Sequence, residues 1–433
     1  METDGDLPVD AAPDADTGQP DTDTADAGPP PSLTWTTPEN ISSSATFSDI
    51  RLNWGNSVAV TESGTVHVVW REVSDQTGNV ITGQIVHRRR DANGWSSVQA
   101  LSGMVDGVGH PKIAASGNRV YIVWHVFDPD PAGDDRIFFV SSSSDGQAGT
   151  FGAPRAVVTD AVVTNASPLQ EMASTPSIAA TGDWVYVVWA DDRVVPDCGF
   201  NVSEVYLLAS GDRGERWSGE LRVTEPDCRS SWTPTVSAWD QYVHVAWTDD
   251  RHSSADCGLT GSVCAEEEYY RRLADHGATL DTPEIRLTHD SGPMAQSWAG
   301  NIVSRDSYVQ YAFMDNAGGD DFQVYHVRSL DRGATWESPL RLLSEPRPSW
   351  LSARPTIAAE GSAVHVVWMD VQGDTAATIR HRWSSDYGET WSSVSDVTSG
   401  SGVFAIQPSV AAWGGTAHVV WNDQAEIYYA SSQ

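Results

Sequence analysis

The sequence predicts an all-β chain: a seven-bladed β-propeller of four-stranded antiparallel blades, its ring closed by an N-terminal strand that completes the last blade. Three observations carry this. A β-branched run ending in an aromatic residue recurs seven times, each copy sits in the same four-segment frame, and the fourth segment missing from the last copy stands near the N-terminus.

The recurring run ends at Trp70, Trp124, Trp189, Trp247, Phe313, Trp368 and Trp421, in strings such as VHVVW, VYIVW and VQYAF. Successive ends lie 54, 65, 58, 66, 55 and 53 residues apart, which leaves room for long loops on one face. Ahead of the run comes a segment such as PKIAA from Pro111, PSIAA from Pro176 or PTIAA from Pro355. Behind it comes a third, such as EVYLLAS from Glu204 or EIYYASS from Glu426. A fourth opens at an aromatic residue, as in WSGELRVT from Trp217 and WESPLRLLS from Trp336. Four short strands with turn signals between them make one blade. Residues 35–42, WTTPENIS, match the fourth template and are expected to pair with the strand around Ile427, closing the ring and removing its open edges.

Between the third and fourth segments lies S-x-D-x-G-x-x-W, complete at Ser210, Asp212, Gly214, Trp217; at Ser329, Asp331, Gly333, Trp336; and at Ser384, Asp386, Gly388, Trp391. Asp275 with Gly277, Ser143 with Asp145, and Asp91 with Trp95 keep parts of it. The pattern resembles the Asp-box, or bacterial neuraminidase repeat, of sialidase-like propellers. Its physics is local: the carboxylate accepts backbone N–H groups, the glycine takes positive φ and the tryptophan packs on neighbouring strands. These positions are therefore read as structural.

Composition bounds the partners. The formal charge is −33, from 59 acidic against 26 basic residues, and Lys112 is the only lysine. No nucleic-acid partner is expected on that balance. Residues 1–32 hold nine acidic residues and six prolines and no basic one. Such a tract is expected to be a disordered spacer ahead of a propeller at 33–433. It resembles the stretch after the lipidated cysteine of bacterial surface lipoproteins, so a secreted or cell-surface, lipid-anchored monomer is expected. No run of eighteen apolar residues occurs, so no membrane-spanning helix is expected. Cys198, Cys228, Cys257 and Cys264 form no CxxC pair, and two disulfides are expected, Cys198 with Cys228 and Cys257 with Cys264.

The loops joining second to third strands, and each blade to the next, share the face opposite the Asp-boxes. They are the expected place for a site. Trp54, Trp232, Trp298, Trp350 and Phe404 recur in the blade connections and offer flat platforms for sugars. The strings WADDR and WTDDR, with Asp191 and Arg193 and with Asp249 and Arg251, resemble the sialidase blade whose D-x-R carries the acid/base carboxylate. On that resemblance Asp191 would donate the proton, while Arg51 and Arg354 would belong to the carboxylate-binding arginines.

Two other readings stand beside this one. His110 opens the first strand of the second unit and His125 closes its second strand, so both reach the same face. The pair resembles the histidines of seven-bladed polysaccharide lyases, which take a proton beside a uronate. The third reading is a lectin or adhesion module that binds glycan without turnover. No cofactor is expected, although Asp128, Asp130 and Asp134 in DPDPAGDD offer carboxylates to Ca²⁺.

Overall fold

The computed structural model describes residues 28–44, 47–50, 56–77, 80–127, 135–161, 176–192, 194–195, 198, 200–253, 265–289, 296–316, 321–338, 340–346, 350–372, 376–398, 404–423 and 425–433. Nearly all of the regular structure is strand, apart from one short 3₁₀ turn at Asp275–Gly277. The chain is a β-propeller. No helix among the described residues is long and apolar enough to cross a membrane.

Six sheets are regular blades, not the seven expected. Five have four strands and one has five, because its outer strand is split into Thr279–Leu280 and Ile285–Arg286, both paired with Glu267–Ala274. The sheet over residues 47–106 departs from the pattern. Its two central strands, Val66–Thr77 and Val80–Asp91, each run to 12 residues. No single short partner covers that length. Phe47–Asp49 and Val58–Val60 both pair with the first, and three two-residue strands between Gly94 and Asp106 pair with the second.

The aromatic-ended runs are the second strands, flanked by sheet on both sides and by neighbouring blades above and below. That placement buries both faces, which is why they read as nearly continuous apolar strings. Trp70, Trp124, Trp189, Trp247, Trp368 and Trp421 are all essentially inaccessible, as is Phe313. Fully burying side chains of this size dominates the core, and truncating one costs about 3–5 kcal/mol.

The Ser-Asp-Gly-Trp turns lock the opposite face. In the turn at Ser384, the Gly388 N–H donates to Ser384 Oγ at 2.8 Å and the Thr390 N–H to Asp386 Oδ1 at 2.8 Å. Gly333 takes φ +78°, and a Cβ there would lie 1.8 Å from the Tyr270 hydroxyl of the preceding blade. The tryptophans reach back in the same direction: Trp217 meets Phe139 edge-on at 5.2 Å, Trp336 meets Tyr270 at 4.8 Å and Trp391 meets His326 at 4.9 Å. Each turn thus staples one blade to the one before it.

Glu39 and Asn40 pair antiparallel with Tyr429 and Tyr428. Trp35 bridges Ser432, and the Ile41 N–H donates to the Ile427 carbonyl at 2.8 Å. The expected N-terminal strand therefore supplies the outer strand of the sheet Ala405–Trp413, Thr416–Asp423, Glu426–Ser431. Residues 1–27 of the acidic tract lie outside the described residues.

Candidate active site at the axis of the loop face

The inner strands line an axial cavity of about 530 Å³, walled largely by small apolar residues such as Ala59, Ala114, Ala179, Ala358 and Ala411. Toward the loop face, each inner strand carries one buried polar residue just before its first wall residue. Six of these are short and neutral: Ser57, Ser177, Thr235, Asn301, Thr356 and Ser409. Five of them, all but Ser57, bond through their side chains to a neighbouring inner strand. Ser409 Oγ accepts the Ser57 N–H at 3.0 Å, Ser177 Oγ accepts the Val236 N–H at 3.3 Å, and Asn301 Oδ1 accepts the Ile357 N–H at 3.2 Å. The remaining position is Lys112, 0 % exposed.

Just outside this collar four inner strands carry a bulge, with Thr233, Ala299, Arg354 and Gln407 at φ of 54°, 59°, 52° and 58°. A bulge re-aims the strand and its side chains. In the strand entering at Lys112, the matching residue is His110. The residue after each second-strand aromatic is Ala190, Thr248, Met314, Met369 and Asn422 in five units, but Arg71 and His125 in the first two. Every charged or imidazole departure from the repeat in these three layers falls on Arg71, His110, Lys112, His125 and Arg354.

These departures share one electrostatic environment. Arg71 Nη2 meets Asp49 Oδ2 at 2.9 Å, and Arg71 Nη1 donates to the Val108 carbonyl at 2.8 Å. His110 Nε2 lies 3.2 Å from the same Asp49 oxygen. His125 is 2 % exposed, and neither of its ring nitrogens has a hydrogen-bond partner among the described residues. The ring stands edge-on to Phe127 at 4.4 Å and lies so close over Gly109 that a Cβ there would be 2.0 Å from its Cε1. Burial holds the imidazole well below its ordinary range, and His110, Arg71 and Lys112 push the same way. His125 is therefore neutral at pH 7. Burial lowers Lys112 to about 7, with Asp49 opposing and Arg354 assisting, and burial lowers Arg354 to about 10. Paired groups with perturbed affinities of this kind mark functional sites.

The sequence-predicted residues divide. His110, His125 and Arg354 come together at the axis, along with Asp49, Arg71 and Lys112, which had not been singled out as catalytic. Asp191 and Asp249 do not join them. Both are 0 % exposed, and each accepts the indole N–H of the tryptophan two residues earlier, Trp189 and Trp247, at 3.1 Å. Trp368 and Asp370 repeat the contact at 2.9 Å, and Ser231, Ser297 and Ser352 donate to Asp249, Asp315 and Asp370 at 2.8, 2.9 and 2.7 Å. Asp249, Asp315 and Asp370 thus belong to a repeated clamp between second and first strands, and Asp191 shares its indole contact. Arg251 closes the clamp: it contacts Asp249 at 2.6 Å, Asp227 at 3.3 Å and Glu284, and stacks over Tyr269 at 4.3 Å.

The aromatic residues of the connections are only partly open. Trp298 packs edge-on to Phe322 at 5.9 Å and joins the hydrophobic core, while Trp232 and Trp350 are half-buried. Cys198 and Cys228 form a disulfide, which ties the loop after Asp191 to the next blade connection. Arg51, Trp54, Arg193, Cys257, Cys264, Asp128, Asp130 and Asp134 lie outside the described residues. Among the described residues no cluster of three His, Cys, Asp or Glu side chains suits a metal ion.

A second group of titrating side chains lies on the same face. Burial raises Glu204 and Glu266 to about 7 and Glu268 to about 8. Glu204 stands opposite Asp191 in the strand register, and its Oε1 lacks a hydrogen-bond partner among the described residues.

Known structures share the fold. The polysaccharide lyase Uly1 matches with a TM-score of 0.57 at 10 % identity, covering 89 % of this chain and 90 % of its own. A PL25 ulvan lyase bound to -[GlcA(1-4)Rha3S]- matches with a TM-score of 0.56 at 11 % identity, covering 89 % and 94 %. The Hadza microbial sialidase Hz136 matches at 0.47 and 13 % identity, covering 80 % and 73 %, too distant to carry an argument. At such identities the likeness is one of fold. No protein-family model matches the sequence, and no curated protein does.

Proposed function

We propose that this chain is an extracellular, glycan-directed propeller that cleaves uronate-containing polysaccharide by β-elimination at the axis of its loop face. The observation that carries this is His125: buried, neutral, without a hydrogen-bond partner among the described residues, and set beside His110 and the cations Arg71, Lys112 and Arg354. A neutral imidazole in that setting is a base suited to the proton α to a carboxylate, and the cations lower the cost of the charge that develops on that carboxylate. Fold likeness to lyases of polysaccharides supports the reading without establishing it. The Cys198–Cys228 disulfide supports an oxidising compartment. We further read the turns as Asp-boxes and the irregular sheet as a seventh blade, because Val58–Val60 lines the axial cavity together with the inner strands of the six regular blades.

A sialidase-like exo-glycosidase is the second reading. Glu204, held near 7 beside Asp191, favours it, since a hydrolase needs a carboxyl group that stays protonated at neutral pH. Incubation with uronate polymers, sialosides and a neutral glycan panel separates the readings. An unsaturated, ultraviolet-absorbing end on uronate products supports the lyase, free sialic acid supports the hydrolase, and binding without product from any of them leaves a lectin.

A further inference from the structure

The collar holds one residue that departs from its own pattern. In six inner strands the collar position is Ser, Thr or Asn, and in five of them, Ser57 being the exception, the short side chain hydrogen-bonds to a neighbouring inner strand. Only the strand Lys112–Ser116 departs, and it departs with the single lysine of the chain, fully buried. A lysine is rarely buried in this way, and the other strands fill the same collar position with short neutral side chains. Lys112 opens the strand Lys112–Ser116, two residues after His110, and both residues are fully buried.

Resting on the elimination reading above, we propose that Lys112 is a catalytic residue, the proton donor to the leaving glycosidic oxygen, with His125 as the base. His125 takes the proton from C5 of the uronate. The C5–H electron pair becomes the C4=C5 double bond, the C4–O bond breaks, and the departing oxygen takes a proton from Lys112 Nζ. The products are a fragment with an unsaturated uronate end and a fragment with a new hydroxyl group; solvent reprotonates the amine and receives the proton from His125. No water is added and no oxidant is consumed. Burial acts most strongly on Lys112 and disfavours its ammonium form; among the charged groups that act on it, Asp49 favours that form and Arg354 disfavours it, while His125 in turn senses His110, Arg71 and Lys112. With the amine lowered to about 7 and the imidazole neutral, donor and acceptor hold the required protonation states together near neutral pH.

The test uses Lys112→Ser, which installs the residue the repeat itself carries at this position. Two substrates are compared: a uronate polymer, whose leaving alkoxide needs a proton, and a 4-fluoro-uronoside, whose fluoride does not. Lys112→Ser is expected to lose about 10²–10⁴-fold in kcat on the polymer and to stay within about tenfold of wild type on the fluoride, whereas His125→Ala loses both. Equal loss on both substrates, or none on the polymer, overturns the role of Lys112 while leaving the lyase reading intact. Absence of unsaturated product with wild-type protein overturns the lyase reading itself. A second measurement does not depend on a variant that folds: ¹³Cε-lysine labelling gives one side-chain resonance, expected to titrate near 7 together with the alkaline limb of kcat. Titration near the ordinary lysine value would contradict the proposal.

Discussion

The indole N–H of Trp247 donates to the carboxylate of Asp249, two residues along the same strand, at 3.1 Å. Trp189 and Asp191 repeat it at the same distance, so the carboxylates that most resemble a hydrolase acid are spent on holding the blade. Asp249→Ala orphans a buried indole N–H and removes one of the three carboxylates that hold Arg251, at a cost of about 3 kcal/mol. Asp191→Asn keeps an acceptor for Trp189 and is expected to cost less than Asp191→Ala. Thermal unfolding checks the order, and turnover that vanishes in a fully stable Asp191→Asn would restore the carboxylate to catalysis.

Gly109 and His125 make a second, sharper case. The ring lies where a side chain at 109 would be, so Gly109→Ala must push the imidazole aside. A displacement near 1 Å at a reacting group costs on the order of a hundredfold in rate. Steady-state kinetics and a melting curve on this variant are expected to show the loss in kcat with the fold retained.

Acid and base should both unsettle the ring, in separate windows. His365 and His381 share a 3.1 Å contact, and burial holds His365 and His418 near 4 and His244 near 3. The unfolded chain binds these protons from 6.5 downward and the folded chain does not, so their contribution to stability is present above 6.5 and is lost as the pH falls toward 4 and 3. Glu204, Glu266 and Glu268 act in the opposite sense. Their folded values near 7, 7 and 8 exceed the ordinary 4.5, so their contribution is present below 4.5 and is lost as the pH rises toward 8. The melting temperature is expected to peak between about 4.5 and 6.5 and to fall on both sides; a plateau from pH 6 to 9 would contradict this assignment.

Ring closure rests on few residues. Removing the chain through Ser42 leaves Glu426–Ser431 as an open edge and takes away the partners of Tyr428 and Tyr429. Open edges invite pairing with other chains, so the truncated protein is expected to melt lower and to self-associate, as light scattering would show.

Much of this architecture was legible because it repeats. The buried aromatics, the turns at Gly214, Gly333 and Gly388 and the closing segment around Glu39 all follow from patterns visible several times over. The irregular sheet was not legible, since nothing in VHVVW announces that Val66–Thr77 extends to 12 residues and breaks its partners into pieces. His110, His125 and Arg354 were reached by position on the loop face. The burial of Asp191 and Asp249 was not legible, because a D-x-R string does not reveal the indole bonded to its carboxylate. Lys112 was visible as the single lysine but not as a member of the site: it sits inside the repeat, where only comparison of the inner strands in register shows that the other strands carry Ser, Thr or Asn.

The most direct test of the account is the reaction of uronate polymers with wild-type protein and His125→Ala at neutral pH, followed by ultraviolet absorbance of the new double bond. The account predicts steady accumulation with wild type and a loss of about 10²–10⁴-fold with the variant. Equal accumulation with both proteins, or none with wild type, would contradict it.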